Sequence, residues 1–198
     1  METFEADSEG GQPVIGEIHL LEPFIAATRA AVAEMADTEV GVRGMVRKAM
    51  RHALGDIAAI ISLSRKNPKI EKQTLEVRKE PSPSSSSLTP NPWPSASSGF
   101  LILSFPQMTA TALARRILTG VTAEVDQKLI SDCMGEIANV VTGQAKAMLV
   151  ETPYRFLFTL PPVVVDAKEF QPSPCLDCLM VTFTCDEGEF ALQLSLDF

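Results

Sequence analysis

Two rhythms of apolar positions run along this chain. Phe24, Ala27, Ala31 and Met35 recur at three- and four-residue steps after Glu22-Pro23, the spacing of one buried helix face. Proline loses nothing at a first helical position, because its missing N–H would be unpaired there anyway. The pattern therefore predicts a helix from Pro23 to about Asp37. Between 38 and 51 the rhythm changes. Val40, Val42 and Val46 fall on even positions, which predicts an extended segment. Asp56–Ser64 (DIAAIISLS) and Gly99–Phe105 (GFLILSF) are apolar runs of strand length. After Pro106 a short helix is expected over 107–118, with Gly120 at its C-terminal cap. Thr122 would cap a longer helix running to about Val150, with Glu124 and Asp126 in its favourable first turn. The remainder reads as strands: 155–165, broken by Pro161-Pro162, then 179–185 and 189–196 as a hairpin around Asp186-Glu187-Gly188. The expected class is α+β, with two layers of long packed helices against a mostly antiparallel β-sheet.

The strands at 56–64 and 99–105 are separated by an unusual tract. It contains Pro81, Pro83, Ser84 to Ser87, Pro90, Pro92 and Pro94. Such a composition buries too little apolar surface to offset its ordering entropy. Residues 65–98 thus read as a Ser/Pro-rich, disordered insertion in a hairpin, and 1–20 as a flexible leader before a domain at 21–198. Trp93, the only tryptophan, sits in the insertion, and the sequence leaves open whether it docks or stays exposed.

Composition narrows the function. The chain has 198 residues, 45% of them hydrophobic, enough for one core. Its 17 Lys+Arg against 25 Asp+Glu give a net charge of −8, the wrong sign for nucleic acid or an anionic membrane surface. Glu2, Glu5, Asp7 and Glu9 oppose a signal peptide, and no apolar run approaches the roughly 20 residues of a membrane span. A cytoplasmic location is expected. Locally, Arg43, Arg47, Lys48 and Arg51 are basic. They could draw an acidic partner, or they could be the charges that keep an edge strand from pairing with its neighbours. Cys175 and Cys178 form a CxxC with Cys185 nearby, but a metal would need Cys133 or a distant histidine as fourth ligand. Thiols at the start of a strand account for them more simply. His19 and His52 have no nucleophile in context, so a self-contained hydrolase is not indicated.

Placed on a helix, residues 129–148 put Ile130, Cys133, Met134, Ile137, Val140, Val141 and Met148 on one broad face. Asp132, Glu136, Asn139 and Gly143 fall on a strip beside it, within about 60° of one another. Gly143 costs about 1 kcal/mol relative to alanine inside a helix. A closely approaching partner would explain it; so would a kink or tight packing against the sheet. Helical geometry accommodates both a docking strip and an ordinary solvated one.

The spacing Asp132-x3-Glu136-x2-Asn139, with Pro162 after 22 further residues, resembles the active-site signature of the CheC/CheX/FliY phosphatases. The flanks GEIANVVTGQAKAML (135–149) and FTLPPVVV (158–165) are most similar to the CheX branch, as are PFIAATRAAVAEM (23–35) and GEFALQLSL (188–196). The resemblance implies a CheC/CheX-like fold and removal of the phosphoryl group from the aspartyl-phosphate of a CheY-like receiver domain. It implies that Asn139 orients the attacking water, that Glu136 pairs with the receiver's lysine, and that Asp132, Gly143 and Pro162 support them. It implies no cofactor on this chain, Mg²⁺ being carried by the receiver, and a possible homodimer through sheet edges. The same fold could also serve as a non-catalytic receiver-binding or dimerisation module. The long insertion departs from the family's tight turn and puts the dimer in question.

Overall fold

The computed structural model describes residues 15–50, 53–65, 99–119, 125–150, 152, 156–158, 161–170 and 176–196. In chain order the elements are α1 (Ile15–Ala36), β1 (Gly41–Met50), β2 (Ile57–Arg65), β3 (Gly99–Phe105), α2 (Gln107–Ile117), α3 (Gln127–Leu149), β4 (Phe156–Phe158) and β5 (Val163–Asp166). A short 3₁₀ turn (Ala167–Glu169), β6 (Leu176–Cys185) and β7 (Gly188–Leu196) complete the fold. The strands form one seven-stranded sheet in the order β1-β6-β7-β3-β2-β4, with β5 also on β2. Every pairing is antiparallel. The α+β class and antiparallel sheet are those expected from the sequence.

Period-two alternation sorts the sheet into two faces. Ile57, Ala59, Ile61 and Leu63 of β2 join Leu101, Leu103, Phe105, Val181, Phe183, Phe190, Leu192 and Leu194 in the main core, together with buried residues of all three helices. Phe190 stacks between Phe105 and Phe183, with ring centroids 5.2 and 5.1 Å away. Among the described residues the helices therefore form a single layer on one face, where two layers were expected. The opposite face carries a smaller cluster of Ala58, Ile60, Ile102 and Cys178, closed by Ala53 from one connection and by Ala167 and Phe170 from another. Two connections that cross the sheet take the place of a second helix layer. Their backbone explains a buried polar side chain there: Gln193, 1% exposed, accepts from the Leu54 N–H at 3.2 Å, satisfying a donor that would otherwise be stranded.

Three boundaries differ from the sequence expectation. α1 begins at Ile15, so Pro23 lies inside it rather than opening it. An interior proline costs about 3 kcal/mol, but Leu20 and Leu21, on its N-terminal side, are 1% and 0% exposed. Burying two leucines contributes roughly 3–6 kcal/mol, enough to carry the helix through. α3 is capped by Asp126, whose side chain accepts from the Leu129 N–H at 2.8 Å; Thr122 and Glu124 lie outside the described residues. The C-cap of α2 is Leu118, and Gly120 also lies outside them. β2 and β3 pair directly, from Ile57 opposite Phe105 to Leu63 opposite Gly99. The intervening 66–98, with Trp93, lie outside the described residues, as do 1–14.

β1 is a sheet edge. Its Arg43 pairs with Glu189, and Arg47 with Asp177 at 2.9 Å. These two charges are matched by acids of β7 and β6, an arrangement that fits the edge-strand reading of the basic segment better than an acidic partner.

Candidate functional site

α3 owes its position to an amphipathic stripe. Ile130, Cys133, Met134, Ile137, Ala138, Val141, Ala145 and Leu149 are all buried, which turns Asp132 and Glu136 outward as exposed side chains and leaves Asn139 half-buried at the margin. On the other side of the site, β2 carries β5 opposite Ile57–Ile60 and β4 opposite Leu63–Arg65. Prolines cannot donate to a ladder, and Pro161-Pro162 stand in the break between those two short strands. The break and the helix enclose an open cleft of about 470 Å³ lined by Ser131, Asp132, Gly135, Glu136, Asn139, Pro161, Pro162 and Val164.

The structure thus brings together Asp132, Glu136, Asn139 and Pro162 around one concavity. Gly143 does not line it. It lies one turn beyond Asn139, exposed, and a Cβ built there meets nothing within 4 Å, so packing against the sheet is not what keeps a side chain away. Ser131, Gly135 and Val164 were not singled out from the sequence, and Pro161 only as part of a strand break. Ser131, Gly135 and Asn139 recur at four-residue steps along α3, a signal that could have found the first two. Gly135 is the glycine that packs: a Cβ there would sit 3.2 Å from Val164 Cγ2.

Within the site Asn139 Nδ2 donates to Glu136 Oε2 at 3.2 Å. A carboxylate oxygen only accepts, so the bond sets the amide with its NH₂ toward Glu136 and Oδ1 turned away. A single exposed turn of helix therefore offers a carboxylate for a cation and a neutral acceptor beside it.

Burial holds the three described thiols in their protonated form. Burial, followed by the negative charge of Asp132, pushes the Cys133 thiol up. Burial pushes Cys178 and Cys185 each up to about 11. No group of three or more His, Cys, Asp or Glu among the described residues is arranged to hold a metal ion; Cys175 and His52 lie outside them. Among the described residues, no helix is long and apolar enough to cross a membrane.

The family model described as "Chemotaxis phosphatase CheX" matches residues 95–186. No curated protein matches the chain. Among solved structures, a chemotaxis protein CheX from Desulfovibrio desulfuricans has a TM-score of 0.66 at 20% identity, over 90% of this chain and 99% of its own. FliY from Thermotoga maritima has a TM-score of 0.58 at 14% identity, over 94% and 93%. The CheX–CheY–BeF3–Mg²⁺ complex from Borrelia burgdorferi gives 0.56 at 16% identity, over 89% and 96%. At such identities the likeness is one of fold. In keeping with the sequence resemblance, residues 95–186, which hold the site helix and the Pro161-Pro162 break, match the CheX family model, and the chain has the fold of CheX, CheC-like and FliY proteins.

Proposed function

We propose that this chain is a phosphatase of phosphorylated CheY-like receiver domains, with Glu136 and Asn139 as its catalytic pair. The observation that carries the reading is their hydrogen-bonded adjacency on an exposed helix turn at the mouth of an open cleft. A receiver supplies its own aspartyl-phosphate, Mg²⁺ and lysine, so this chain contributes position rather than a nucleophile. Phosphoryl transfer depends mainly on alignment and charge stabilisation. Asn139 Oδ1, turned from the carboxylate, accepts a hydrogen bond from the attacking water and holds it in line with phosphorus. A neutral amide does this without repelling the phosphoryl oxygens, and its contribution is orientational because it is too weak a base to take the proton. Glu136, with one oxygen used by Asn139, presents the other to the receiver's lysine and fixes the docking register. Asp132 adds negative charge one turn earlier, and Pro162 shapes the opposite wall. The relative crystallised as a CheX–CheY–BeF3–Mg²⁺ complex supports a receiver as partner.

The test is phosphate release from candidate receivers loaded with acetyl phosphate. Wild type should accelerate release from at least one receiver, and Glu136→Ala and Asn139→Ala should each remove most of the acceleration. Receiver binding without faster release would instead assign the chain as a non-catalytic receiver-binding module. Failure to bind or accelerate any receiver would remove the reading altogether.

A further inference from the structure

We infer that Gly135 is a positioning residue for the site, setting the separation between the Glu136/Asn139 helix and the Pro161-Pro162 wall through its contact with Val164. The inference rests on the phosphatase reading above and names a residue that acts through its neighbours.

Gly135 precedes Glu136, is buried, and lies on the floor of the cleft. It is the point where α3 meets β5, since a Cβ there would be 3.2 Å from Val164 Cγ2. Carbon atoms in ordinary contact stand about 3.5–4.0 Å apart. A methyl group would therefore drive helix and strand apart by about 0.3–0.8 Å, or force Val164 to turn. Val164 is not free to drift. It pairs with Ala59 of β2, itself fully buried in the sheet, and Pro162 precedes β5 by one residue. Widening this contact moves Pro162 away from Glu136 and Asn139 together.

Gly135 also carries a local cost that its packing must offset. Glycine in a helix interior is about 1 kcal/mol worse than alanine, and helix propensity alone would favour alanine here. Close approach to Val164 and an unfilled cleft floor are what the missing side chain provides. The same comparison separates the two glycines of α3, because Gly143 has open space where its Cβ would be.

The experiment is a cycle of G135A, V164A and G135A/V164A, measured for thermal stability and for steady-state kinetics on a receiver phosphorylated by acetyl phosphate. G135A should move the melting temperature by only about a few degrees, its gain in helix propensity opposed by the contact with Val164, while losing about three- to tenfold in kcat with little change in receiver KM, since sub-ångström misalignment of a positioned water acts on the chemical step. V164A removes the γ carbons that the new methyl would meet, so the double variant should return to within about twofold of V164A alone. A G135A enzyme with wild-type kcat overturns the inference, and so does a double variant as impaired as G135A. An active wild type with either of those results leaves the phosphatase reading standing. A wild type with no activity on any receiver removes both.

Discussion

Replacing Arg116 with alanine should unlatch three elements at once. Arg116 sits in the last turn of α2, and its guanidinium reaches the Ala36 carbonyl at 2.6 Å, the Asp37 carbonyl, and Glu187 Oε1 at 2.6 Å. It thereby closes the C-terminus of α1, where Asp37 turns into the left-handed region at φ 46, and ties it to the β6–β7 hairpin. Thr38 Oγ1 donates to the second Glu187 oxygen at 2.8 Å. Bonds from a charged donor contribute about 1.5–3 kcal/mol each when buried. Here the arginine side chain is 39% exposed, so about 1 kcal/mol per bond is the appropriate scale. Arg116→Ala should cost about 2–3 kcal/mol in urea unfolding, read as a lower midpoint at constant slope.

The pH dependence provides a second reading of the same latch. Burial pushes the Glu187 carboxyl up, but hydrogen bonds from Thr38, its own backbone and Cys185, with the Arg116 charge, hold it below the usual carboxylate range. A folded-state value below the unfolded one gives stability that is complete above the unfolded pKa of about 4.3. That stability is lost as pH falls through the lower folded value. Glu187→Gln should therefore be less stable than wild type at pH 7, with the difference closing below about pH 4.3. An Arg116→Ala cost under about 0.5 kcal/mol, or a Glu187→Gln difference that stays constant down to acid pH, would refute the latch.

Two further substitutions probe how the site's surroundings are built. Gly55 has φ +73, and a Cβ there would lie 2.7 Å from the carbonyl carbon and oxygen of Phe105; Gly55→Ala should cost about 2–4 kcal/mol, left-handed strain plus a backbone clash, as a drop in melting temperature. Asp56 Oδ2 accepts from the Gln107 N–H at 2.8 Å, capping α2 in place of Pro106, which supplies no side-chain cap. Asp56→Ala should cost about 1 kcal/mol, and Asp56→Asn much less, in the same measurement.

Much of this architecture was legible in the apolar pattern, because its signals are local. The strands at 57–65 and 99–105, the helix at 107–117 and the final hairpin follow from runs, periodicity and turn residues within each segment. What escaped depended on partners distant in sequence. The start of α1 was misplaced because Pro23 reads as an opening residue, while burial of Leu20 and Leu21 is a tertiary effect. The cap of α2 could not be read because it comes from Asp56, in the connection before β2. Among the described residues a single helix layer replaces the expected two, because residues of connections, not helices, cover the sheet's second face. For the site, helical geometry gathered Asp132, Glu136 and Asn139 but could not place Pro162 against them; only the family spacing did that. Gly143 drew attention as an uneconomical residue, yet Gly135 is the glycine in close contact, a distinction that depends on where β5 lies.

If Asn139 acts on the water and not on docking, its loss must separate turnover from binding. The most direct measurement compares Asn139→Ala with wild type in two assays on one receiver: affinity for its beryllofluoride–Mg²⁺ form, and single-turnover dephosphorylation of its phosphorylated form. Affinity should stay within about twofold of wild type, and the dephosphorylation rate should fall at least about a hundredfold, toward the receiver's own rate. Retained turnover in Asn139→Ala, or parallel loss of affinity and turnover, would contradict that role for Asn139.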